Sequence, residues 1–276
     1  MKRTRRIRRV FLLLALVLAA LYAFPLVMVV LSSVKVRRDV ANDPLALPKS
    51  PQWSNFTRAI EKMEFWQAIG NSFIVTVISV SAIIVTSSLL AYYLSRSKSK
   101  FSKITFLVLV ASMVVPFQAM MLPFIGFFGR NGLDMPLNKF SIAFFYVGFG
   151  VALSTFLYHG FISNIPYSLD EAAAIDGASA FGTFRRVIFP LLGPVTATVA
   201  IINALWIWND FLLPQIVLQE NDQKTLPLRT YVFHGKYTSD YGLAMAGLLL
   251  SIVPIVIFYF VMQKRIIAGI SAGAVK

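Results

Sequence analysis

An all-α, polytopic membrane protein with six transmembrane helices is the fold class predicted for this chain, and three observations predict it. Hydrophobic residues fill 57% of its 276 positions and the mean hydropathy is +0.71, above the roughly even balance of soluble domains. Six apolar runs are each long enough for a helix to cross a hydrocarbon core of about 30 Å at about 1.5 Å per residue. The 26 Lys and Arg residues flank those runs, so the net charge of +14 reads as a topology signal and not as a nucleic-acid surface.

The runs cover residues 9–34, 68–94, 104–128, 140–161, 187–218 and 241–262. The first follows a basic start, Lys2 to Arg9, and carries small residues at Ala19, Ala20 and Ala23, as a signal peptide does. It runs on without a break to Val34, past the roughly 7–15 residues of a signal core, and is expected to be a retained anchor. The connection 35–66 holds Asp43-Pro44, Leu47-Pro48 and Ser50-Pro51 and is expected to be extended and then turning. The organisation expected is a basic tail, first span and outer segment over 1–66, a five-helix domain over 67–262 and a tail over 263–276.

Orientation follows from the short, dense basic clusters at Lys2–Arg9 and Arg96–Lys103, since the positive-inside rule is most reliable beside spans. Both termini and the segment around Glu171 are thereby expected on the cytoplasmic side. Trp53, Trp66, Trp206 and Trp208 then fall outside or near the outer interface, as an aromatic belt requires.

The polar stretch Ser168 to Pro190 is unlike a simple connecting loop. Ser168 and Glu171 have capping-box spacing, and Asp170 and Glu171 fall in a first turn where the helix dipole favours carboxylates. Gly177 is placed to end that helix in a left-handed conformation. Ser179 opens a second helix, with Phe181, Phe184 and Ile188 as its apolar stripe until Pro190 interrupts it. Ala172, Ala173 and Gly177 leave a low-relief surface that a partner can approach closely. Read from spacing alone, Glu171 and Gly177 are equally well explained as a helix cap and a helix terminator.

Glu171-Ala172-Ala173, followed by Gly177 and by Val187-Ile188-Phe189-Pro190, resembles the EAA signature of membrane permease subunits of bacterial ABC importers, with Val187 and Phe189 as conservative departures from its usual ending. Asn71-Ser72, Trp208-Asn209-Asp210-Phe211 and the tail Ala272 to Lys276 are similar to the carbohydrate branch, in its smaller six-span, maltose-type form. The resemblance implies a type-1 ABC importer transmembrane fold over 67–262, with a cytoplasmic coupling loop at 164–186. It implies that Leu169, Asp170, Glu171, Ala172, Ala173, Asp176, Gly177 and Ala178 dock a cytoplasmic ATPase. It also implies two ATPase subunits carrying ATP and Mg, a second and different permease subunit, an extracytoplasmic solute-binding protein, and a place in the bacterial cytoplasmic membrane, with a sugar or related small solute as cargo.

Other polar positions within the runs have two readings. Asn71, Gln118, Asn203, Trp206 and Asn209 offer hydrogen bonds and stacking for a sugar path, and equally suit bonds between helices. Asp210 is the single carboxylate inside an apolar run and reads as a functional group or as an interfacial residue beside Trp208. His159 reads as a packed or interfacial histidine, and Met113, Met120 and Met121 as adaptable packing. Pro116, Pro123, Pro190, Pro194 and Pro214 sit in or beside spans, where each removes a helix hydrogen bond unless neighbouring groups compensate, and each reads equally as a kink used in alternating access or as packing.

Absences in the sequence narrow the function. There is no cysteine, which removes disulfides and thiolate sites, and His159 and His234 form no metal-binding motif. No G-x-x-x-x-G-K-[ST] occurs; Gly235-Lys236 is followed by Tyr237, so energy from ATP must come through a partner. No catalytic triad, paired carboxylates or H-E-x-x-H supports an enzyme. The alternatives are an ion-coupled secondary transporter, which calls for acidic or histidine relays at mid-membrane, and a scaffold without solute flux.

Overall fold

The computed structural model describes residues 2–129, 132–233 and 240–274. No strand occurs among them. The helices are α1 (Lys2–Ser33), α2 (Arg37–Asn42), α3 (Ser54–Lys62), α4 (Phe65–Arg96), α5 (Lys100–Ser112), α6 (Phe117–Phe128), α7 (Lys139–Ile162), α8 (Ser168–Ile175), α9 (Ala180–Thr183), α10 (Phe189–Leu191), α11 (Gly193–Asn209), α12 (Leu212–Val217), α13 (Leu226–Thr230) and α14 (Tyr241–Ala274). A π-turn at Phe184–Ile188 joins α9 to α10.

Four of the six apolar runs are single helices, α1, α4, α7 and α14, each long and apolar enough to cross a membrane. The other two are broken. α5 and α6 meet at 106°, and Ala180–Leu191 meets α11 at 78°, so six membrane-length segments result only if each bent pair is one span. The cause of the first bend is Pro116, which lacks an amide hydrogen and holds extended backbone at φ −71°, ψ 138°. Pro190 does not interrupt its helix as the sequence suggested. The preceding turn widens, the Phe189 amide donating to the Phe184 carbonyl, and the bend falls instead at Leu192, before Pro194 in the first turn of α11. At the other end α14 runs unbroken to Ala274, through most of the segment expected as a tail.

The chain divides into two units. The first comprises 1–68 and 228–254. Its α1 carries an apolar window from Val10 with no buried residue, the surface a helix presents to lipid or to another apolar helix. Its connection 35–66 is more helical than expected, containing α2 and α3; the prolines confine the irregular backbone to the stretch between them. Lys35, only 2% exposed, donates from Nζ to the carbonyls of Asp43 and Pro44 at 3.0 Å each, which satisfies a buried ammonium with backbone dipoles. Asn55 donates to the carbonyls of Ser33 and Lys35. Gly242 passes so close that an added Cβ would lie 2.3 Å from the Lys35 carbonyl oxygen.

The second unit comprises 69–227 and 255–276. Its middle is set by Gly150 on α7, where an added Cβ would meet Ile83 Cδ1 of α4 at 2.6 Å and Asn203 Oδ1 of α11 at 2.9 Å. Three helices approach there because one has no side chain. Asn203 donates to Ser154 at 3.0 Å and Tyr158 to Thr196 at 3.0 Å, tying α7 to α11. The rings of Phe124, Phe128 and Phe145, with centroids 4.7–4.9 Å apart, fasten α6 to α7.

Candidate coupling site

α8 begins on a turn set by Pro166. Leu169 donates to the Pro166 carbonyl, and Asp170 and Glu171 to that of Tyr167. The expected capping box is therefore absent: Tyr167 occupies the capping position in helical conformation without a side-chain cap, and Ser168 is already inside the helix. A helix entered from a proline turn leaves its first residue no extended backbone from which a hydroxyl can fold back.

The far end of α8 is as the sequence predicts. Gly177 has φ +78°, its amide donates to the Ala174 carbonyl at 3.0 Å, and that of Ala178 to the Ala173 carbonyl at 2.9 Å. This pair of bonds closes a helix through a left-handed residue. Ser179 then caps α9, accepting from the Gly182 amide at 3.2 Å. Of the apolar stripe, Phe184 and Ile188 are buried and Phe181 is 61% exposed.

The eight predicted coupling residues divide between two faces. Glu171, Ala172, Asp176 and Gly177 are exposed, as is Leu169, and Ile175 beside them is 86% exposed. Glu171 makes no side-chain hydrogen bond or ion pair among the described residues. Ala173 is buried and Ala178 half-buried, so these two hold the element to its own chain. Asp170 also points inward. Its Oδ1 accepts from Tyr92 Oη at 2.7 Å, and its Oδ2 lies 2.9 Å from the Arg96 guanidinium. Arg96 donates to the Ile165 carbonyl at 3.2 Å and lies over the Tyr167 ring at 5.5 Å. Between α4 and α8 runs a groove of about 600 Å³ whose walls include Leu89, Tyr93, Ala178 and Phe181.

Tyr92, Arg96 and Tyr167 were not singled out from the sequence, where Arg96 counted only as one more flanking charge. A signal existed: Tyr92 and Arg96 are four residues apart, one face of the last turn of α4.

The candidate pathway residues make separate contacts. Asn71 donates to the carbonyls of Asp222 and Lys224 at 2.7 and 3.2 Å. Asn203 bonds Ser154 and the Val199 carbonyl, and Asn209 the Leu205 carbonyl within its own helix. Gln118 is exposed on α6. Trp206, 41% exposed, meets Tyr146 edge to face at 5.5 Å. Tyr146 in turn donates to Asp210 at 2.9 Å, so Asp210 ends α11, receives the Leu212 amide and is anchored to α7. His159 stacks on Phe106 at 4.2 Å, a packing role. His234 and Gly235-Lys236 lie outside the described residues. No group of acidic and histidine side chains suited to a metal ion occurs among the described residues.

With this geometry in place, the relationships of the chain are informative. Residues 83–271 match the family described as "Binding-protein-dependent transport system inner membrane component", a stretch that includes the end of α4, α8 and α11. The chain belongs to that family. As a member it is the membrane permease component of an ABC importer, without an ATPase site of its own. It is 40% identical to the probable starch degradation products transport system permease AmyC of Thermoanaerobacterium thermosulfurigenes, over 95% of each chain. It is 39% identical to the multiple sugar-binding transport system permease MsmG of Streptococcus mutans, over 93% of this chain and 92% of that one. Its fold is shared with a chain of a bacterial ABC transporter involved in the import of the acidic polysaccharide alginate, at a TM-score of 0.83 and 22% identity over 96% of this chain and 98% of that one. Permeases of this family are multi-pass proteins of bacterial membranes, in keeping with the long apolar helices. An ion-coupled mechanism finds no support.

Proposed function

We propose that this permease moves a sugar or short oligosaccharide across the bacterial cytoplasmic membrane, driven by two ATPase subunits, one of which docks on the exposed face of α8. The observation that carries the reading is that face itself: Glu171, Ala172, Ile175, Asp176 and Gly177 are exposed on a helix with a fixed end, and the Glu171 and Asp176 carboxylates make no hydrogen bond or ion pair among the described residues. The cargo class rests on the sugar transport assigned by name to the relatives of 39–40% identity. In this reading both termini and α8 are cytoplasmic, each bent helix pair makes one crossing, and a second, different permease completes the channel. A binding protein delivers the solute from outside.

The movement has a defined route in the chain. ATP and Mg bind on the partner subunits; their closure displaces α8, and α9, the π-turn and α10 carry the displacement into α11. The small relief at Ala172 and Gly177 allows close approach of the ATPase, and the left-handed end of α8 makes it a stiff unit to push. Hydrolysis resets the cavity. The test is copurification of a nucleotide-binding subunit with this chain from its native membrane, together with ATP-dependent uptake of labelled oligosaccharide in reconstituted vesicles. Recovery of the chain without such a subunit, or uptake that follows an ion gradient instead, would contradict it.

A further inference from the structure

The chain connects α8 backward to α7 and forward to α9, but nothing in the connectivity joins it to α4. The side chains do. The last turn of α4 meets three successive parts of the coupling element: Arg96 at the Ile165 carbonyl and the Tyr167 ring, Arg96 and Tyr92 together at Asp170, and the Tyr92 ring at Phe184, 5.4 Å between centroids. The side chains of Arg96 and Asp170 are 15% and 10% exposed. Withdrawing such a pair from water costs several kcal/mol per ion, and apolar side chains of similar volume are often as stable or more so. Arg96 Nε and Asp170 Oδ2, moreover, are buried without a hydrogen-bond partner among the described residues, so the two groups meet as an ion pair and are not placed for the fullest hydrogen bonding. Its planar fork instead reaches a carboxylate, a carbonyl and an aromatic face at once, which a lysine ammonium cannot do.

We propose that Arg96 is a positioning residue that clamps the coupling element to α4, so that a displacement of α8 moves the end of α4 with it as well as α11. This rests on the docking of an ATPase at α8. The inward side of α8, through Asp170, is then the transmitting face, and the outward side, through Glu171 and Gly177, the receiving one. Tyr92 serves the same clamp by fixing the second oxygen of Asp170.

The complex of this permease, its permease partner and the ATPases, reconstituted in lipid, tests this by two readouts. Arg96→Ala is expected to keep basal ATP hydrolysis but to lower solute moved per ATP roughly 3- to 30-fold, Arg96→Lys to fall between, and the exchange of Arg96→Asp with Asp170→Arg to recover part of the loss. Because the chain has no cysteine, spin labels at Lys98→Cys, two residues past the end of α4, and at Ala174→Cys, exposed on α8 beside the groove and outside the docking residues, report the separation of the end of α4 from α8. That separation is expected to stay fixed on ATP binding in the otherwise unaltered protein and to change once Arg96→Ala is added. Full transport per ATP in Arg96→Ala, or a separation that changes with ATP while Arg96 is present, overturns the clamp. If Arg96→Ala does not assemble, Asp170→Asn, which keeps the volume and the Tyr92 bond, is read by the same two measures. Loss of coupling in Gly177 variants with none in these overturns the clamp alone, whereas absence of an ATPase from the unaltered complex overturns the docking reading beneath it.

Discussion

The amide of Ala178 reaches back 2.9 Å to the carbonyl of Ala173, and it can do so only because Gly177 between them turns through φ +78°. That bond gives α8 a fixed length and a fixed exit, and it places the exposed face of the helix between a proline turn at one end and a glycine at the other.

Gly177 separates backbone strain from docking. Among the described residues, no atom beyond its chain neighbours lies within 4 Å of an added Cβ, so Gly177→Ala is expected to cost only the left-handed penalty, roughly 1–2 kcal/mol, and Gly177→Asn less. Gly177→Trp should behave like Gly177→Ala in thermal unfolding of the purified permease, yet sharply lower transport per ATP in the assembled complex, because its bulk would occupy the space of the ATPase. Equal transport in the three variants would show that the space is not used.

Gly150 predicts a rescue. Gly150→Ala forces a methyl against Ile83 Cδ1 and Asn203 Oδ1 and is expected to destabilise the second unit by about 1–3 kcal/mol. Adding Ile83→Val removes the nearer of the two atoms and should recover part of the loss in Tm. A double variant no more stable than Gly150→Ala alone would mean that the three helices are not in contact as described.

Asn203 is expected to act on stability and not on the cargo. Its amide is spent on Ser154 and Val199, and bonds of this kind between membrane helices are worth about 0.6 kcal/mol, up to about 1.7. A double-mutant cycle of Asn203→Ala and Ser154→Ala should return a coupling of that size in unfolding experiments, with solute KM unchanged. A KM that rises with stability intact would return Asn203 to the solute path.

What the sequence made legible was whatever depends on near neighbours along the chain. Gly177 and Ser179 were read correctly because a left-handed helix end and a hydroxyl cap are settled within three or four residues. Ser168 misled because Pro166, two residues earlier, had already started the turn. The bends at Pro116 and Pro194 were signalled by residues that cannot donate, but their angles depend on what packs outside each break, and the π-turn that absorbs Pro190 has no mark in composition. Asp170 has the same limit. Its place in a first turn was visible, whereas its partner Arg96 lies 74 positions away on another helix, and apolar periodicity carries no information about which charges meet. Asn71 and Asn203 were legible as polar groups in apolar helices, and their partners were not, for the same reason.

The central claim is that the exposed face of α8 receives an ATPase, and a single-cysteine cross-link tests it most directly. Ile175→Cys is the one thiol in this chain and, at 86% exposure, is free to react. In native membranes a short bifunctional thiol reagent is expected to join Ile175→Cys to a nucleotide-binding subunit, and to do so far less from Trp66→Cys, which is 73% exposed at the start of α4. A cysteine at 175 that is modified by soluble thiol reagents but never cross-links to an ATPase would contradict the account.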